Sequence, residues 1–319
     1  MKKATKIWLI TAALLVLAGG ILFAGIMAAE NWDFGKLSTV RYVTNTYPVS
    51  EPFRNLSFET DTVDIVLVPS DDGTCRVECR EEENARHTVA VENDTLTVQV
   101  QNNKTWRDYI GVHFGTPKIT VYLPEREYAM LTVHENTGNV EIPKDFAFTG
   151  ADISVTTGNV RFFADVQDAK IKTSTGDIQV EDLSTGSLDL SVTTGKIMVS
   201  GVTCQGDVAL SVSTGKTALT DITCRNLRSN GTTGTISLEW VLADEAISVE
   251  RSTGDVRFNG CDAAELSVKT GTGNVTGSLL TEKIFLTETG TGRVEVPQTA
   301  TGGKCQIRTG TGDIRIKIG

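Results

Sequence analysis

The side chains that bear on metal or redox chemistry are six cysteines and three histidines. The cysteines are Cys75, Cys79, Cys204, Cys224, Cys261 and Cys305, and the histidines are His87, His113 and His134. No Cys-x-x-Cys occurs, so the spacing of a zinc or redox motif is absent. Cys75 and Cys79 would stand about 13 Å apart along one strand, too far to bridge. Cys204 and Cys224 each lie nine residues after a Thr-Gly glycine, Gly195 and Gly215. Stacked at about 4.8 Å, they permit a disulfide by distance alone; the other reading is a small buried apolar column. The histidines are scattered. Catalytic, cofactor and metal sites are therefore expected to be absent.

One loop carries a different chemistry. Between Asn102 and Gly115, Trp106, Tyr109, His113 and Phe114 stand in a polar, Gly-containing setting. They form either a side-chain cluster capping the first rung of a repeat or a binding loop.

Composition narrows the classes further. The chain has 319 residues, 39% hydrophobic and 22% charged, with 30 glycines and 6% aromatics. A packed core is within reach, and the Gly- and Thr-rich mix suits short strands and tight turns. The net charge of −10 argues against nucleic acid as a partner.

Any such groups must be positioned by a repeat that fills the last 190 or so residues. Thr-Gly recurs at Thr137-Gly138, Thr157-Gly158, Thr175-Gly176, Thr194-Gly195, Thr214-Gly215, Thr233-Gly234, Thr253-Gly254, Thr272-Gly273, Thr291-Gly292 and Thr311-Gly312, at gaps of 18 to 20 residues. Two residues after each glycine stand Val140, Val160, Ile178, Ile197, Thr217, Ile236, Val256, Val275, Val294 and Ile314. A second apolar column follows two positions later, which is strand periodicity. Five residues before each glycine is a third, in which Ser229 and Thr287 interrupt the apolar run.

The interval from the third column to the first is seven residues, an odd number. A straight strand would put those side chains on opposite faces. Both point inward only if the chain turns between them, so Thr-Gly marks a corner, with glycine supplying positive φ and Asn or Asp often following. Stacked threonines are expected to exchange hydroxyl hydrogen bonds between coils. The fold class predicted is all-β: a single-stranded β-solenoid of about ten 19–20-residue repeats, each adding a rung to parallel ladders. A stack of antiparallel hairpins is the competing architecture.

Outward positions beside the first column are chemically mixed, for example Glu141, Arg161, Gln179, Met198 and Ala218. No coherent hydrolytic face is legible there, and Gly-Gly-x-Gly-x-Asp calcium repeats are missing.

The first thirty residues are a separate object. Lys2, Lys3 and Lys6 precede an uncharged run from Ile7 to Ala29. That is long enough to span a bilayer and longer than the apolar core of a cleaved signal. The positive-inside rule keeps the lysines cytoplasmic. The organisation expected is a cytoplasmic tip at 1–6, a transmembrane anchor at 7–29, a stalk at 30–49, a β-rich capping region at 50–124 and the solenoid at 125–319. The localisation that follows is the cell membrane, single-pass, with the bulk extracytoplasmic. Ile314, Ile316 and Ile318 form a last strand without a cap, an open edge expected to dock on a partner or on a second copy.

Four stretches carry a resemblance: Val121-Tyr122-Leu123-Pro124, Asn136-Thr137-Gly138-Asn139-Val140, Ser174-Thr175-Gly176-Asp177-Ile178 and Ser252-Thr253-Gly254-Asp255-Val256. Over about residues 50–319 the chain resembles extracytoplasmic bacterial β-strand-repeat proteins of unknown function, often labelled "putative adhesins". The resemblance implies a repeat fold and a surface location, and defines no catalytic residues. Lys196, Lys216, Thr235 and Arg293 depart from the acidic position after the glycine.

The expected function is a membrane-anchored, non-catalytic binding or scaffold protein that engages a cell-surface glycan or protein. The alternatives are an envelope-stress regulatory element acting through a membrane partner, and a polysaccharide-acting β-helix enzyme.

Overall fold

A computed structural model describes residues 3–33, 41–102 and 115–319. The apolar run forms helix α1 (Lys3–Ala29). All other regular structure among the described residues is β.

Seven strands precede the Thr-Gly repeats: β1 (Tyr42–Val49), β2 (Asn55–Thr62), β3 (Asp64–Pro69), β4 (Cys75–Glu82), β5 (Ala85–Glu92), β6 (Thr95–Asn102) and β7 (Lys118–Leu123). The repeats begin as pairs of a long strand before the corner and a short one after it: β8 (Glu127–Thr137) with β9 (Val140–Ile142), β10 (Ala147–Thr157) with β11 (Val160–Phe162), and β12 (Asp165–Thr175) with β13 (Ile178–Glu181). Further along, β14 (Ser184–Cys204) and β15 (Asp207–Thr233) pair straight through the corners at Gly195 and Gly215, whereas β16 (Ile236–Thr253) and β17 (Val256–Thr272) each run from one Thr-Gly corner to the next, with register shifts at Cys224/Asn226 and Ala243/Ala246. The last rungs are β18 (Val275–Leu279), β19 (Lys283–Thr291), β20 (Val294–Glu295), β21 (Gly303–Thr311) and β22 (Ile314–Ile318).

The repeats stack in parallel and in register. Ile153 pairs with Val133 and with Ile171, and Val160 with Val140 and Ile178. The apolar columns therefore become continuous buried ladders: Val133, Ile153, Ile171, Leu190 and Leu210 from one side of each corner, and Val140, Val160, Ile178 and Ile197 from the other. Burying one such side chain stabilises by about 1.5–3 kcal/mol. No single coil can do this alone, since its inward side chains need a rung above and below. This is the β-solenoid that the spacing predicts.

The corner glycine is required twice over. At Gly215 φ is +149°, a conformation L side chains rarely adopt, and a Cβ there would lie 1.6 Å from the Gly195 carbonyl oxygen.

Rung order departs from chain order at both ends. β2 and β3 form a rung beneath β8 and β9, with Thr62 paired to Thr137 and Ile65 to Val140. Thr62-Val63-Asp64 is thus a corner written without glycine. Below it, one sheet continues from β2 through β6 to β5, and the other from β3 through β7 and β4 to β1. Tyr42–Val49, which the sequence reading places in a stalk, is instead an edge strand. Its Asn45, Tyr47 and Val49 are half-buried while Thr44 and Thr46 face solvent.

At the other end, β21 lies between β17 and β19, and β22 between β18 and β20. The expectation of an open last strand is corrected: Ile314 and Ile316 are buried, and Arg315 bonds Asp313. The coil of β19 and β20 is the outermost rung, and its Ile284, Leu286 and Val294 are exposed. Buried Lys283 reaches across the inserted rung to Asp262 Oδ1 at 2.5 Å. Its ladder partner there is Gly303, which has no side chain to block it.

Candidate functional site

The corners build a ridge along the solenoid. Thr137, Thr157, Thr175, Thr194, Thr214, Thr233, Thr253, Thr272, Thr291 and Thr311 are all exposed. Ladder pairing aligns them, as in Thr137 with Thr157, Thr175 with Thr194, Thr272 with Thr311 and Thr311 with Thr291. A second column stands beside them, with Thr156, Thr193, Thr232 and Ser252 also exposed. Rungs of a parallel ladder are about 4.8 Å apart, so the ridge presents hydroxyls at a fixed repeat.

The expected exchange of hydrogen bonds between stacked corner threonines is not formed among the described residues. Inward threonines do that work: Thr173, Thr270 and Thr309 donate to the carbonyls of Gly158, Gly254 and Gly273 at 3.1, 3.2 and 2.9 Å. The outer hydroxyls are left facing water.

Behind the ridge runs an Asx ladder. The backbone N–H of Asn139 donates to Asp64 Oδ1 at 2.8 Å, that of Asn159 to Asn139 Oδ1 at 3.1 Å, and that of Asp177 to Asn159 Oδ1 at 2.9 Å. Lys196 N–H closes this run on Asp177 Oδ1 at 2.8 Å. The acids after the glycines are thus spent on backbone donors. A groove of about 320 Å³ flanks the ladder, lined by Asp64, Lys118, Asn139, Glu141, Asn159 and Arg161. The Asp64 N–H donates to the Pro117 carbonyl at 3.0 Å, so the chain re-enters the described structure beside this groove. Trp106, Tyr109, His113 and Phe114 lie outside the described residues.

All six cysteines are free and buried, Cys204 and Cys224 included. Burial pushes Cys79, Cys224 and Cys305 up to about 12, so their thiols stay protonated unless a coordinated metal deprotonates one.

Three buried polar sites were not legible in the sequence. Glu135 accepts from Thr60 Oγ1 and from the backbone of Val63 and Thr137; burial raises its pKa to about 8. Arg251 has no carboxylate partner among the described residues. It donates to Ser229 Oγ at 2.9 Å and Thr217 Oγ1 at 3.1 Å, and burial alone lowers it to about 10. Ser229 and Thr217 are polar interruptions in otherwise apolar columns, which is the signal that would have found it. The third site is Cys79, Glu81 and His87, one candidate metal-ligand atom from each lying within 4.8 Å of the others.

A family described as Toastrack DUF4097 matches residues 53–211 and 205–318. The chain belongs to the Toastrack DUF4097 family. Both matched stretches lie in the β region and exclude α1. No curated protein matches the chain.

Solved structures match the chain at low identity. A "putative adhesin" from Parabacteroides distasonis is 14% identical, covering 87% of this chain and 98% of its own, with a TM-score of 0.49. A second, from Bacteroides fragilis, is 16% identical over 87% and 97%, with a TM-score of 0.36. A "putative lipid binding protein" from Parabacteroides distasonis is 11% identical over 86% and 97%, with a TM-score of 0.42.

Proposed function

We propose that this Toastrack protein is a membrane-anchored, extracytoplasmic, non-catalytic scaffold that binds a repeating polymer at the cell surface. The observation that carries the reading is the threonine ridge: exposed hydroxyls, unshared between rungs, held at a constant spacing by a rigid ladder. A polymer of regularly spaced hydroxyl and amide groups, such as a wall glycan, matches such an array along its length. Each contact is weak, so affinity comes from many contacts with little ordering cost on the protein side.

The anchor reading rests on α1. Thr5–Ala29 is 25 residues, long and apolar enough to cross a membrane, and every residue in it but Met27 is exposed. At about 1.5 Å per residue it exceeds a hydrocarbon core of about 30 Å. Lys6 and the lysines before it set the cytoplasmic side.

The test is co-sedimentation of full-length protein in liposomes with purified peptidoglycan sacculi. Wild type is compared with a variant carrying Thr194→Val, Thr214→Val, Thr233→Val and Thr253→Val, which keeps the β-branched shape and removes the hydroxyls. Binding by wild type and its loss in the variant, at unchanged melting temperature, is the expected result. Equal pelleting of both would overturn the ridge as the contact.

A further inference from the structure

We infer that Cys79, Glu81 and His87 form a binding site for a zinc-class divalent metal at the β1–β4–β5 end of the solenoid. This is independent of the ridge, which lies along the corners.

The strands converge for simple reasons. Cys79 and Glu81 alternate on β4 and so share its inward face. β5 follows after a short turn, with Glu82 paired to Ala85, and His87 is its next inward residue. β4 belongs to one sheet and β5 to the other, so the three side chains meet where the two sheets close on each other. Their exposures are 0%, 0% and 6%.

The ligands are already oriented. Glu81 Oε2 accepts from the His87 backbone N–H at 2.6 Å and faces His87 Nδ1 at 2.8 Å. Glu81 Oε1 accepts from Asn45 Nδ2 at 2.5 Å, and the Tyr47 hydroxyl donates to the His87 carbonyl at 3.1 Å. Outer contacts of this kind fix the direction of metal ligands.

Chemistry selects the metal. Thiolate, imidazole and carboxylate together suit zinc, with bonds of about 2.0–2.3 Å. Tetrahedral ligand atoms at that range are about 3.3–3.8 Å apart. The thiol would close in by about an ångström or less, and imidazole and carboxylate would part by a few tenths. A thiolate, a carboxylate and a dication sum to zero charge, the condition a buried site needs. Three protein ligands leave one position for water. Bound metal would staple β4 to β5, with Asn45 of edge strand β1 holding Glu81 in place.

The experiment is titration of chelator-stripped, full-length protein with cobalt(II), followed by competition with zinc(II). One cobalt per chain with a thiolate-to-cobalt charge-transfer band, displaced by zinc, is expected. Cys79→Ser should abolish the band, Cys75→Ser on the same strand should keep it, and Asn45→Ala should weaken binding by about 10–100-fold. Absence of the band in folded wild type, or its survival in Cys79→Ser, would overturn the proposal. If Cys79→Ser does not fold, X-ray absorption of zinc-loaded wild type decides. One sulfur in the coordination shell supports the site, and none refutes it.

Discussion

Glu135 shows how one buried side chain couples the core to pH. It occupies the inward column two residues before a corner threonine, where other rungs carry Val155, Thr173 or Val192. Its folded pKa of about 8 lies above the ordinary 4.5 because burial penalises the carboxylate. Between those values the folded chain holds a proton that the unfolded chain has released. Stability from this group is therefore complete at low pH and falls as pH rises through that window, by at most about 1.4 kcal/mol per unit. Denaturant unfolding at pH 5 and pH 8 should show wild type weakening, and Glu135→Gln losing most of that dependence. An equal pH slope in both proteins would contradict the burial argument. At a corner, Gly215→Ala combines a disfavoured φ with a 1.6 Å clash. We expect about 3 kcal/mol or more of destabilisation, read from the denaturation midpoint.

Rungs are where local exceptions compensate one another. Arg251 pairs with Gly231 in the β15–β16 ladder. A Cβ on Gly231 would lie 2.0 Å from Arg251 Nη1, so the glycine is the opening through which the guanidinium reaches Ser229 and Thr217. A buried cation without a counter-charge contributes little net stability, yet removing it alone orphans two hydroxyls. Arg251→Met alone should destabilise the protein. Adding Ser229→Val and Thr217→Ile restores the apolar columns, and the triple variant should equal or exceed wild type, by up to about 4 kcal/mol. A triple variant no more stable than Arg251→Met would show that the network does more than satisfy itself. These exceptions explain what could be read in advance. Columns such as Val140, Val160 and Ile178 were legible because every rung repeats the same inward demand. Arg251 was not, because its partners lie 22 and 34 residues away and only the stack brings them together. Cys79 and Glu81 share a face of β4, but His87 joins them only when β4 and β5 close two sheets.

Over the whole molecule, periodicity specified the solenoid but not the order of its rungs. A Thr-Gly coil fits above any other, so nothing in Gly312 reveals that its rung inserts between those of Gly273 and Gly292. The N-terminal rung was hidden for the opposite reason: Thr62-Val63-Asp64 lacks the glycine that marks the others. The acidic balance left after the lysine-bearing first segment, and the spent Asx ladder, point away from a cation-rich face and toward hydroxyl contacts.

Site-specific photo-crosslinking in intact cells producing the full-length chain tests that account most directly. Crosslinkers would replace Thr194 and Thr233 on the ridge, and Arg257, exposed on the strand that follows a corner, as the comparison. The account predicts wall or surface-polymer adducts from both ridge positions and few from Arg257. Adducts confined to cytoplasmic proteins, or equal at all three positions, would contradict it.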